Sequence, residues 1–206
     1  MSGLLRLVFE NGGAAVACIM LASLAAGTVV IERLWRLLPL RAAFARQRAR
    51  CHEALLRAGA REALAALAPS AGDDAMSRVL RAGLQQHGRG PELVRIAATN
   101  AAQREVAGIE RGLSLVAMAA QIAPWLGLLG TVIGLMEVFQ SSASAPTVTN
   151  ALVASGIYKA LGSTVAGLVL AILAYLAYGL LTGLSNRLID ELENAAADLP
   201  VFLHSP

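Results

Sequence analysis

Ala123-Pro124-Trp125-Leu126-Gly127-Leu128-Leu129-Gly130-Thr131-Val132-Ile133-Gly134 lies inside Gly112 to Met136, a run without a single charged residue. A helix needs roughly 20 apolar residues to cross a bilayer, so this run is long enough to span one. Wound as a helix, Pro124, Gly127, Thr131 and Gly134 fall within about a 100° arc. Together with the neighbouring Gly130, they give the span a face of small residues and one hydroxyl. In lipid, such faces let helix backbones approach closely. A later segment is built to match. Gly156, Ala160, Ser163, Thr164, Gly167, Ala171 and Ala174 recur at spacings of three and four, a second stripe of small residues with two adjacent hydroxyls.

Two further runs, Asn11 to Ile31 and Ala160 to Asn186, are also uncharged and of spanning length. The 206-residue chain is 56% hydrophobic and 15% charged, a balance that belongs to a polytopic membrane protein rather than a soluble domain. Spanning segments without strand-like alternation must be helices, because lipid satisfies no backbone polar group. The expected fold class is an all-α membrane protein with three transmembrane helices and long helical extensions in the cytoplasm. The first run is about twice as long as a signal-peptide core and reads as a retained anchor.

Charge orients the spans. Fourteen of the seventeen Lys and Arg lie from Arg33 to Arg111, against seven acidic residues, whereas residues 140–150 carry no charge. The positive-inside bias puts the first loop in the cytoplasm and the second outside. The expected layout is a periplasmic N-terminus (1–10), transmembrane helix 1 (11–34), a cytoplasmic helical domain (35–111), transmembrane helix 2 (112–139), a periplasmic loop (140–150), transmembrane helix 3 (151–186) and a cytoplasmic tail (187–206). Within the cytoplasmic domain, residues 41–67 read as a helix closed by Pro69-Ser70-Ala71-Gly72, with Asp73 or Asp74 capping the next. Ala54, Leu55, Ala58, Glu62, Ala65 and Ala66 form its expected packing stripe. His87-Gly88-Arg89-Gly90-Pro91 makes a second break, after which a helix from about Glu92 is expected to run unbroken into the second span.

Several functions are excluded by what the chain lacks. The net charge of +3 is explained by topology, so nucleic acid is not an expected partner, while membrane lipid is. His52, His87 and His204 are far apart and flank no Cys or carboxylate at metal-ligand spacing, so no metal site is expected. The glycines of the second span do not sit at a strand-to-helix turn, no Lys-Ser/Thr pair follows them, and no nucleophile elbow or catalytic dyad is present. The chain does not read as an enzyme, and no cofactor is expected. Cys18 and Cys51 fall in the first span and the cytoplasmic loop, where a disulfide is disfavoured.

Three pieces of the chain resemble the MotA/TolQ/ExbB proton-channel family: Ile31-Glu32-Arg33-Leu34, Ala123 to Gly134, and Gly156-Ile157-Tyr158-Lys159-Ala160-Leu161 through Thr164-Val165-Ala166-Gly167-Leu168. The three-span layout with a large first loop is similar to ExbB and TolQ rather than to the four-span flagellar stator. The resemblance implies a ring-shaped homopentamer in the bacterial inner membrane, surrounding two copies of a single-span ExbD/TolR-type partner that supplies an ion-carrying aspartate. It implies that Thr131 and Thr164 flank that aspartate in the path of H+ or Na+, with Ser163 as a supplementary ligand. Pro124, Gly127, Gly130, Gly134, Gly156, Ala160 and Gly167 are then packing or partner-contact positions. The work would be an energy-transducing motor driven by the ion gradient.

Alternatives stand beside these readings. A lone Thr in a membrane helix commonly bonds its own i−4 carbonyl. Small-residue stripes alone also suit a non-conducting oligomeric scaffold. Lys159 stands where the family commonly has glutamate. If the threonines are level, Glu137 and Lys159 are level too, and the expectation is an ion pair at the outer mouth, within one subunit or between neighbours; the alternative is a Lys159 that snorkels to the interface. Glu32 and Arg33 are expected to mark the inner boundary of the first span.

Overall fold

The computed structural model describes the backbone of residues 2–67, 74–144 and 150–204, and all regular structure among them is helical. The elements are α1 (Ser2–Ala58), α2 (Ala60–Ala66), α3 (Ala75–Leu84), α4 (Pro91–Glu110), α5 (Leu113–Ser144) and α6 (Asn150–His204). Three stretches are long and apolar enough to cross a membrane: Ala15–Arg57, Pro91–Ala143 and Val153–Leu203. The chain is an all-α membrane protein, as its composition dictates. It divides into two compact units, Met1–Glu32 with Gly112–Leu180, and Arg33–Arg111 with Leu181–Pro206.

The first unit is small inside and large outside. Ala15, Ile19 and Ala26 of α1, Ala123 and Thr131 of α5, and Ala160, Ser163 and Ala174 of α6 are buried. Leu21, Trp125, Met136, Phe139, Tyr158 and Ile172 stand exposed. Lipid is as apolar as leucine, so helix association there gains little from burying large side chains and much from close backbone approach.

The second unit reverses that rule and buries large apolar side chains. After its first span α1 buries Arg33, Leu37, Phe44, Gln47 and Cys51, and α6 buries Leu181, Ser185, Leu188, Leu192, Ala195 and Leu199. The α6 row follows the alternating three-and-four spacing of a coiled-coil seam, and the α1 row keeps it through a half-buried Leu40. Arg41 pairs with Glu191 at 3.9 Å and Arg48 with Asp198 at 2.6 Å. Both partners advance by seven residues between the two pairs, so the helices run parallel and in step. Helix α3 packs on this core: a Cβ placed on Gly83 would run into the Leu199 side chain and come within 3.2 Å of Ala98 Cβ on α4. Arg78 of α3 donates two hydrogen bonds, 2.8 and 2.7 Å, to the carboxylate of Glu105 on α4. Between α1, α3 and α6 the unit has a half-open, largely apolar pocket of about 520 Å³ bordered by Phe44, Cys51, Met76, Leu80 and Leu199.

Several expectations about the second unit are met and others corrected. Asp74 caps α3, accepting the Ser77 N–H at 2.8 Å, and α4 begins with Pro91 in its first turn. Helix 41–67 is interrupted, because Gly59 adopts φ +79°, a left-handed conformation open to glycine. The expected stripe forms only in part: Ala54, Leu55 and Ala66 are half-buried, Glu62 and Ala65 are exposed, and Ala63 and Leu67 are the buried positions beyond Gly59. The side chain of Ala58, and all of residues 68–73, lie outside the described residues. The helix from Pro91 does not run unbroken into the second span. It stops at Arg111, and Gly112 turns at φ +83°, the usual glycine ending of a helix. Residues 187–204 continue α6 and supply Leu188, Leu192, Ala195 and Leu199 to the parallel seam.

Candidate functional site

The two small-residue stripes meet where α5 crosses α6. Cβ atoms placed on glycines report how close the backbones come. On Gly127 one would lie 2.9 Å from the Ser163 carbonyl oxygen and 3.0 Å from Thr164 Cα. On Gly130 it would lie 2.5 Å from Ser163 Oγ, and on Gly134 2.8 Å from Ala160 Cβ. On Gly167 it would lie 2.5 Å from the Ala123 carbonyl oxygen and 3.0 Å from Gly127 Cα, and on Gly156 it would strike Val138. Residue numbers rise on one helix as they fall on the other, so the pair is antiparallel with a register set by contact of backbone on backbone. The six positions Gly127, Gly130, Gly134, Gly156, Ala160 and Gly167 are therefore one continuous crossing. Pro124 sits half-buried inside α5 and removes one N–H, which leaves the carbonyl of Ala120 without its intrahelical donor.

The register brings Thr131 level with Ser163, one residue from Thr164. Thr131 is 8% exposed and its hydroxyl donates to its own helix, at Leu128 O, 2.7 Å. Thr164 is half-buried and its hydroxyl crosses the interface to Gly127 O, 3.1 Å. Ser163 is 3% exposed and its hydroxyl lies 2.7 Å from Ala160 O and 3.1 Å from Gly127 O. The three hydroxyls thus sit at about one depth on one crossing, each against a backbone carbonyl, in a region with no acidic side chain among the described residues.

The remaining expected positions lie apart. Glu137 and Lys159 are both exposed, and among the described residues no salt bridge joins them within the chain, although the register sets them within about one helical turn in depth. Arg33 is 6% exposed and its guanidinium donates to Gly108 O at 3.2 Å, tying α1 to the end of α4 inside the second unit, while Glu32 is exposed. What the residue pattern did not reveal is the acceptor. The Gly127 carbonyl gathers the hydroxyls of Ser163 and Thr164, and a glycine draws attention as a packing residue rather than as a carbonyl. A signal was present in the adjacent hydroxyls, of which only one can point along any single helix face.

Comparison with known proteins gives the same family as the spans. A model of the MotA/TolQ/ExbB proton channel family matches residues 71–194, more than half of the chain and including the whole α5–α6 crossing and part of the seam. The chain is 35% identical over 133 residues to a putative ExbB-like biopolymer transport protein of Synechocystis, covering 62% of this chain and 52% of that protein. It is 35% identical over 104 residues to the Tol-Pal system protein TolQ of Haemophilus influenzae, covering 50% of this chain and 46% of that one. It is 33% identical over 143 residues to TolQ of Pseudomonas aeruginosa, covering 64% and 62%. The chain therefore spans about half to three-fifths of the length of these relatives. With three membrane-length helices, a glycine-lined crossing and a matching family model in one polypeptide, the chain belongs to the MotA/TolQ/ExbB proton channel family, on its ExbB/TolQ side.

Proposed function

We propose that this chain is the ring-forming channel subunit of an inner-membrane motor, in which five copies surround two single-span ExbD/TolR-type partners and H+ or Na+ flow drives mechanical work. The observation that carries the reading is the cluster of Thr131, Thr164 and Ser163 at one depth on the α5–α6 crossing. The chain offers no carboxylate of its own there, and an unpaired charge in hydrocarbon is costly, so a partner's aspartate would have to face this polar patch when ionised. Neutral or ion-bound, the same group tolerates the apolar wall. Each elementary charge crossing 100 mV releases roughly 2.3 kcal/mol, enough for a few ions to drive a step. The N-terminus lies in the periplasm and the C-terminus in the cytoplasm, following the arginine-rich stretch from Arg33 to Arg111. Glu137 and Lys159 pair across neighbouring subunits at the outer mouth, and Glu32 with Arg33 sets the inner depth of α1.

The scaffold reading has one observation in its favour: all three hydroxyls already have carbonyl acceptors, which is all that packing requires. The decisive comparison reconstitutes the chain with its single-span partner in vesicles containing a pH-sensitive dye. Thr131→Val and Thr164→Val keep approximate shape and remove the hydroxyl. In a motor they abolish ion flux while mass and subunit ratio stay as in the parent complex. Unchanged flux, or a ring that ignores the partner, moves the assignment to a scaffold.

A further inference from the structure

The carbonyl of Gly127 is oversubscribed. As an interior carbonyl of α5 it accepts the N–H of Thr131 through ordinary helical geometry, which leaves one lone pair. Two hydroxyls, Ser163 and Thr164, each stand 3.1 Å from it. A hydroxyl has one proton, and Ser163 has a second acceptor at 2.7 Å in Ala160 O, whereas Gly127 O is the acceptor found for Thr164. The favoured sharing is Thr164 to Gly127 and Ser163 to Ala160. If the Thr164 hydroxyl turns away, the Ser163 proton swings to Gly127 O without any heavy atom moving, because the distance is already that of a hydrogen bond.

The two hydroxyls also differ in reach. Ser163 is 3% exposed and held against Gly130, where even an added methyl group would lie 2.5 Å from its Oγ. Thr164 is half-buried and one helical step, about 100°, round from it. Only Thr164 is placed to turn outward. We propose that Ser163 is a positioning residue that takes over the Gly127 carbonyl when Thr164 releases it, so the helix crossing stays bonded while the Thr164 hydroxyl serves the ion. This refines the ion-path reading and rests on it. Ser163 therefore acts through Thr164 and not as an ion ligand.

The test uses the ring complex with its partner, labelled with carbonyl-¹³C glycine, and compares infrared amide bands for Ser163→Ala, Thr164→Val and the double variant. Each single variant leaves Gly127 O with two donors and a near-parental band. The double variant leaves one donor, and its shift exceeds the sum of the single shifts. A Thr164→Val shift as large as that of the double variant, or additive shifts, overturns the exchange. Ion flux supplies the second readout. Ser163→Ala lowers flux roughly fivefold, the factor that one neutral hydrogen bond corresponds to. Flux unaffected by Ser163→Ala overturns the positioning role. Failure of the ion-path reading is recognised separately, by parental flux in Thr164→Val, and the infrared comparison still accepts or rejects the donor exchange.

Discussion

Gly167→Ala is the sharpest perturbation of the crossing. The new Cβ would lie 2.5 Å from Ala123 O, 3.0 Å from Gly127 Cα and 3.1 Å from Gly127 N, all backbone atoms that no rotamer change can move. Ordinary contact begins at 3.4 Å, so α5 and α6 must part by about 1 Å. Overpacking of this kind costs about 1–3 kcal/mol. The same movement stretches the 3.1 Å bond from the Thr164 hydroxyl to Gly127 O beyond bonding distance, at about 0.6–1 kcal/mol. The expected loss is about 2–4 kcal/mol. Gly162 and Gly179 lie on the same helix with nothing within 4 Å of an added Cβ, so their alanine variants should stay within about 0.5 kcal/mol of the parent. Unfolding by denaturing detergent in mixed micelles, followed by circular dichroism, measures all three. A Gly167→Ala protein as stable as the parent, or a Gly162→Ala protein equally weakened, would refute the backbone-contact argument.

Two further predictions concern the second unit. Glu105→Gln removes one partner of a two-bond guanidinium–carboxylate pair whose Glu side chain is 20% exposed, and should lower α3–α4 stability by about 1–2 kcal/mol, read as faster amide hydrogen exchange confined to those helices. Burial pushes the Cys51 thiol from its ordinary 9.0 up to about 11. An acid that holds its proton more tightly when folded makes stability fall as pH rises between those two values. The parent should therefore lose stability across pH 9–11 more steeply than Cys51→Ala, and react with alkylating reagents at pH 8 far more slowly than the unfolded chain.

The membrane part was legible because its signals are one-dimensional: uncharged length gave the spans, and three-and-four spacing gave the faces that meet at Gly127 and Gly167. Asp74 was legible as a cap for the same reason, being a local matter of side chain and nearby N–H. Gly112 was not, because in a hydropathy pattern it is simply the first uncharged residue of a span, while its left-handed backbone appears only in three dimensions. Residues 187–204 were read only as a cytoplasmic tail, with no packing assigned to them. Arg187, Asp190, Glu191, Glu193 and Asp198 drew the reading to charge, and those charges lie on the outer faces of a helix whose Leu188, Leu192 and Leu199 are buried. The role of Gly127 stayed hidden because a backbone carbonyl has no letter of its own in a sequence.

The parallel seam of α1 and α6 has a bearing on how the protein is made. Its two rows, Leu37 to Cys51 and Leu181 to Leu199, are separated by well over a hundred residues of chain. During synthesis the first row emerges early and waits, its Phe44 face uncovered, until the last long helix has been translated and inserted. Closing so distant a contact is slow, and uncovered apolar surface invites misassociation meanwhile. A ribosome that stops short of residue 181 would thus release a chain whose second unit lacks half of its seam, a form that proteases can tell from the finished subunit.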